Sequence, residues 1–251
     1  MRTFLRLART TPALFTLLVV AMNMFACSRS YADPATIEKL KNAPQPGDSV
    51  ALDGVEVLNE DGHATAVFAG GCFWCTEHVF EQVKGVHAVV SGYAGGSDDT
   101  ANYQLVSGGA TQHAEAIEIA YDSEAVSYGD LLRIFFTVAH DPTQLNRQGP
   151  DVGEHYRSAV FYANDAQKQA TQAYIDQLTE AGTWGKPIVT TLEPLTKFHV
   201  AEQYHQDYAQ FNPNQPYIVF NAQPKVEKLK KALPEYLEDG GDANADADAA
   251  E

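Results

Sequence analysis

The residues with most chemical scope are Cys72 and Cys75, which stand three apart with Phe73 and Trp74 between them in the stretch GGCFWCTEH. A Cys-x-x-Cys pair can pass between dithiol and disulfide, and so can carry electrons to an oxidised sulfur. Ala64 to Ala69 is apolar and strand-like, and Gly70-Gly71 breaks it, which places Cys72 at or next to a helix N-terminus. There the unpaired N–H groups and the helix dipole favour a thiolate. Cys75 lies one turn on, on the same face. Cβ atoms at that spacing are about 5–6 Å apart in an ideal helix, so a disulfide needs local distortion but no large movement. A strained disulfide is readily reduced, which suits a catalytic cycle.

Other uses of the pair fit less well. A structural bridge this short closes too small a loop to stabilise much. A zinc site on Cys72, Cys75, His78 and His87 lacks a second Cys pair, and the aromatics crowd the ligands. Haem attachment needs His directly after the second Cys, where Thr76 stands. The aromatic pair then divides the redox options. A thiol-disulfide exchanger must dock a protein disulfide, which bulky rings hinder. An enzyme acting on a small, soft, apolar group gains from aromatic walls, because sulfur and methyl groups pack well on rings. Adjacent helix residues point in different directions, so one of Phe73 and Trp74 can equally belong to the core.

The elements that must position this cluster follow from periodicity. Strand patterns cover 64–69, 86–93, 115–121, 158–162 and 188–192; helical spacing covers 72–83, 128–139, 165–181, 201–211 and 225–237. Strands and helices mix without a strict βαβ rhythm, and there is neither a Gly-rich phosphate loop nor an internal repeat. The expectation is an α+β fold of two layers and about 160 residues.

The full 251 residues, 45% hydrophobic and 20% charged, suit one such domain over 63–238 with extensions at both ends. Residues 1–32 read as a secretory signal peptide. Arg2, Arg6 and Arg9 precede the apolar run 12–26, and Ser30-Tyr31-Ala32 offers small residues for cleavage. The run is short for a membrane span. Export to the periplasm is expected; the alternative is a lipoprotein anchored through Cys27. Residues 33–62, with Pro34, Pro44 and Pro46, read as an extended N-terminal arm. Residues 239–251 carry five acids and no base, and read as a disordered acidic tail. Cleavage removes four of the 17 basic residues and none of the 33 acidic ones, leaving a net charge of −20. Such a surface repels nucleic acid and anionic lipid.

The segments GCFWCTEHVFEQVKGV, SGYAGG, QHAEAIEIAYD, HDPTQLNRQGPDVGEHYRSAVFY and FHVAEQYHQDY resemble the A-type peptide methionine sulfoxide reductases. The resemblance runs in order from about Val67 to Phe220. It implies a two-layer α/β sandwich with a ferredoxin-like core, added helices and a long C-terminal segment. It also implies reduction of the S epimer of methionine sulfoxide, free or in proteins, as repair under oxidative stress. Cys72 is then the nucleophile, Phe73 and Trp74 hold the substrate methyl, and Glu115 protonates the sulfoxide oxygen. Tyr103 and Tyr156 match tyrosines that bind that oxygen, and Asp151 matches a substrate-site aspartate.

Residue chemistry agrees with these roles. A sulfoxide sulfur is attacked slowly unless its oxygen is protonated. Glu115 sits in the apolar run Ala114-Glu115-Ala116-Ile117, where desolvation raises a carboxyl pKa. The competing reading is a solvent-facing Glu on an alternating strand, with Glu118 a similar case. Tyr103 and Tyr156 are two of 12 tyrosines, and composition alone does not select them. His199 and His205 read as helix-packing residues. Two departures from the family stand out: Glu154-His155 replaces a more usual Thr-Gln, and no cysteine follows Cys75. Resolution therefore falls to Cys75, giving a Cys72–Cys75 disulfide recycled by a thioredoxin-like dithiol. The expected partners are oxidised proteins, peptides or free methionine S-sulfoxide and a thioredoxin-like protein, for a monomer with no bound cofactor or metal. The alternatives are a general thiol-disulfide oxidoreductase and a zinc-stabilised periplasmic binding module.

Overall fold

Strands buried on both faces organise this chain, and they account for the long apolar runs. The computed structural model describes residues 33–47 and 50–237; the predicted signal segment, Cys27 and the acidic tail lie outside the described residues. The strands are β1 (Ala64–Gly70), β2 (Val86–Ala94), β3 (Ala114–Tyr121), β4 (Arg147–Gln148), β5 (Asp151–Val152), β6 (Ser158–Tyr162), β7 (Thr191–Pro194) and β8 (Phe198–Val200). The helices are α1 (Pro34–Lys41), α2 (Phe73–Phe80), α3 (Tyr103–Ser107), α4 (Tyr128–Ile134), α5 (Asp165–Glu180), α6 (Tyr208–Phe211) and α7 (Gln223–Ala232).

Six strands form one sheet in the order β7-β6-β1-β3-β2-β8. Its centre, β6-β1-β3-β2, is antiparallel throughout, with α2 joining β1 to β2 and α4 and α5 flanking β6 in sequence. This is the ferredoxin-like order, extended by β8 antiparallel on one edge and β7 parallel on the other. Along β1, Phe68 faces the larger helical core, whereas Val67 and Ala69 face a smaller cluster of Ala94, Ala114, Ala116, Ala159 and Phe161. Alternate residues thus pack on different layers, and both faces exclude water.

The segment predicted as an extended arm carries a helix instead. Asp33 caps α1 by accepting from the Ala35 and Thr36 amides, and Pro34 stands in its first turn, where a missing N–H is harmless. Ile37 and Leu40 bury one face against the core. The chain that follows is also tied down. The Tyr174 hydroxyl donates to the Pro44 carbonyl, Arg133 to the Lys41 carbonyl, and the buried Gln167 amide to the Val55 and Thr65 carbonyls.

Three further expectations shift. The strand predicted over 188–192 forms at Thr191–Pro194, because Val189 donates its amide to Pro142 and leaves the pairing to Thr191 onward. The helix predicted over 201–211 is not continuous. Ala201 donates its amide to Ser91 as an extension of the sheet, a short 3-10 turn covers Gln203–His205, and Asp207 (φ 53°) reverses the chain before α6. The helix predicted over 225–237 begins at Gln223 and stops at Ala232, two residues ahead of Pro234.

Candidate active site

The site is built at the point where β1 ends and α2 begins. Gly71 has φ 93°, and a Cβ there would sit 2.5 Å from the Gln148 side chain, so both backbone and space demand glycine. The turn delivers Cys72 to the N-cap of α2, where its carbonyl accepts from the Cys75 amide at 3.1 Å. Both cysteines are free thiols and both are buried. They hydrogen-bond to each other.

Glu115 approaches from β3, on the face that Ile117 and Ile119 give to the helical core. Its carboxylate oxygen accepts the Phe73 amide at 3.1 Å, and the side chain is 2% exposed. Burial pushes this carboxyl up to about 8, and the neighbouring charges of Asp151 and Cys75 add to the rise. At neutral pH Glu115 is therefore a protonated acid in a dry site. The solvent-facing alternative does not apply to it, whereas Glu118 on the opposite face is half-buried and also raised by burial.

The aromatic pair splits in two directions. Phe73 is buried, packed between Tyr93 and His205, with the His205 ring centroid 4.9 Å away. Trp74 is half-buried, stacked on Tyr208 at 3.8 Å and edge-on to Tyr217. Its indole N–H donates to His205 Nδ1 at 3.2 Å. His205 is thus no helix-packing residue: it is the hub between Phe73, Trp74 and Tyr103, the last at 4.4 Å. Burial lowers its pKa, so it is the neutral acceptor that this bond requires. His199 lies on strand β8, not on a helix, opposite Tyr93 of β2 and beside Asp98.

The two tyrosines and the aspartate arrive on loops. Tyr103 opens α3, its amide donating to Glu202, whose other oxygen accepts the Tyr93 hydroxyl. Tyr156 ends a 3-10 turn, close enough to Glu115 and Cys72 for their charges to add to the burial that raises its hydroxyl pKa. Asp151 starts β5 in a tight hairpin and accepts the Tyr217 hydroxyl. A cavity over the two thiols is bordered by Asp151, Tyr217, Phe220 and Lys225. All eight residues singled out from the sequence therefore lie in one region, around the N-terminus of α2.

The chain belongs to the peptide methionine sulfoxide reductase family. The family model for peptide methionine sulfoxide reductase matches residues 64–236. A peptide methionine sulfoxide reductase MsrA 2 of Mesorhizobium japonicum is 56% identical over 173 residues, covering 69% of this chain and 89% of that one. One from Synechocystis is 53% identical, covering 70% and 82%. Among solved structures, reduced Mxr1 from Saccharomyces cerevisiae is similar with a TM-score of 0.57 and 30% identity, covering 68% of this chain and 98% of that one. Methionine sulfoxide reductase A of Corynebacterium diphtheriae gives 0.55 and 32%, covering 68% and 84%. The chain is thus an oxidoreductase of the methionine sulfoxide reductase type, and the readings as a general disulfide exchanger or a zinc-held module are not favoured. His78 pairs with Glu81, and the His87 ring packs at a tilt against His63, so each is engaged elsewhere.

In this reductase the charge on the thiols differs from the sequence expectation. Burial raises the Cys72 thiol, and Cys75 and Glu115 act in the same direction. Cys75 moves down to about 7, chiefly because Cys72 hydrogen-bonds to it, with Lys225 and Tyr217 helping. Of the two thiols Cys75 is therefore the more acidic and Cys72 the one that holds its proton more firmly. The N-cap position favours an anion, but its dipole is that of a two-turn helix, and burial of Cys72 outweighs it.

Sequence reading missed Tyr217, Glu202 and Lys225, and gave His205 only a packing role. Tyr217 Oη lies 3.8 Å from Cys75 Sγ and couples it to Asp151. Nothing local marks these residues; each gains its place through contacts more than 90 residues away in sequence.

Proposed function

We propose that this chain reduces the S epimer of methionine sulfoxide, free or in proteins, and is recycled by a thioredoxin-like dithiol. The observation that carries the reading is Glu115: a buried, protonated carboxyl beside the Cys72 thiol, where general acid catalysis on a sulfoxide oxygen needs one. Cys72 gives its proton to Cys75, attacks the sulfur, and Glu115 delivers a proton to the oxygen. Methionine leaves and Cys72 carries the oxygen as a sulfenic acid. Tyr103 and Tyr156 orient that oxygen, Trp74 and the edge of Phe73 hold the methyl, and Asp151 anchors the substrate side through Tyr217. Cys75 then condenses with the sulfenic acid, since no other cysteine follows Cys72 in these 251 residues.

Resolved S and R sulfoxides of N-acetylmethionine, offered with dithiothreitol beside a protein-disulfide reduction assay, test the activity. The expected result is consumption of the S epimer alone. Equal consumption of both epimers would overturn the stereochemical reading, and disulfide reduction without sulfoxide reduction would restore the exchanger.

The basic, apolar and small-residue order of residues 1–32 supports export to an envelope compartment. Mass spectrometry of the native protein should find a mature N-terminus at Asp33. An intact Met1 would overturn export, and a diacylglyceryl Cys27 would make the chain a lipoprotein.

A further inference from the structure

Helix α7 continues directly from a π-helical turn, Ile218–Ala222, and carries Lys225 next to Pro224. The side chain is 5% exposed and borders the cavity shared by Cys72, Cys75, Asp151 and Tyr217. Among the described residues its ammonium makes no hydrogen bond or ion pair, and it acts through space on Cys75 and Asp151. Its neighbour Lys228 is driven down to about 7 by burial and by the charge on Lys225.

We propose that Lys225 is a positioning residue of the recycling step, its ammonium steadying the negative charge on the attacking Cys75 sulfur. The proposal rests on the reading of Cys75 as the resolving thiol. In that step the Cys75 thiolate attacks the sulfenic sulfur of Cys72. The S–S bond forms, the S–O bond breaks, and the departing hydroxide takes up the proton that Cys75 lost, leaving as water. Facing Cys75 are Cys72, Glu115, Asp151, Tyr217 and Lys225. Lys225 is the one cation of that set; Cys72 and Tyr217 favour the charge by hydrogen bonding, and Asp151 opposes it.

The test uses the full chain, one equivalent of methionine S-sulfoxide and no reductant. Methionine release and the loss of dimedone-reactive sulfenic acid are followed separately. In Lys225→Met the ratio of the second rate to the first should fall about tenfold at pH 7 and recover about one to two pH units higher. Lys225→Arg should stay near wild type, because the charge is kept. A wild-type ratio and pH profile in Lys225→Met, or an Arg variant as slow as the Met variant, would overturn the proposal. A wild-type resolving step that is flat between about pH 6 and 9 would also overturn it, without any substitution. If the Cys72–Cys75 disulfide never forms in the wild-type chain, the resolver reading fails; if it forms normally in Lys225→Met, the proposal alone fails.

Discussion

Glu115→Gln should slow methionine release by about 10²–10⁴-fold while leaving substrate binding close to wild type. Gln keeps the shape and can still accept the Phe73 amide, but it has no proton to give. The pH dependence sharpens the test. Folding raises this carboxyl from 4.5 to about 8, so the acid is present at neutral pH and is lost as pH rises through about 8. Release by the wild-type chain should fall above that point, and the Gln variant should be slow and lack that limb. Stability runs the same way: the native state holds a proton that the unfolded chain releases above pH 4.5, so the wild-type fold weakens as pH climbs from 4.5 to about 8. Gln removes that dependence, so loss of turnover with unchanged or improved thermal stability at pH 7 separates catalysis from misfolding. Near-normal release in the variant would show that another group protonates the oxygen.

What could be seen from the sequence follows the range of the interactions concerned. The β1 strand and the turn into α2 were legible because an apolar run and a double glycine act locally. Glu115 was legible through the family resemblance; its apolar neighbours alone left a solvent-facing reading open, as the half-buried Glu118 shows. The helical spacing of Ala201, His205 and Ala209 was misleading. Those residues are indeed buried, but Ala201 is held by Ser91 on β2, and the Gln206 side chain bridges the same Ser91 backbone. A sheet contact over 100 residues away in sequence overrides the local period. Residues 33–47 misled in the opposite direction. Asp33-Pro34 is a capping signal with Ile37 and Leu40 behind it, yet three prolines in a short stretch argued for extension. His205, Tyr217 and Lys225 were hidden because their importance comes from what the C-terminal segment is folded against. The charge on the thiols was hidden too. A helix N-terminus can be read from sequence, but the depth of Cys72 beneath its surroundings cannot.

Cys75→Ser should release about one methionine per enzyme and then stall with a thioredoxin-type reductant, a loss of essentially all cycling. The first half-reaction needs Cys72 and Glu115, both intact in this variant. Its pre-attack step will be slower, because Ser is a far poorer acceptor than Cys75 for the Cys72 proton, so the burst should shrink in rate while its amplitude survives. The second half-reaction has no replacement: a hydroxyl cannot condense with the sulfenic acid, and no disulfide appears for a dithiol protein to reduce. Dithiothreitol, small enough to reach Cys72, should restore part of the turnover by attacking the sulfenic acid directly. Cys72→Ser sets the other limit, with no methionine released under any reductant, because the nucleophile is gone. A single-turnover assay with a dimedone-type probe tells the two apart: label accumulates in Cys75→Ser and is absent in Cys72→Ser. Full thioredoxin-driven cycling by Cys75→Ser would show that some other thiol resolves the sulfenic acid.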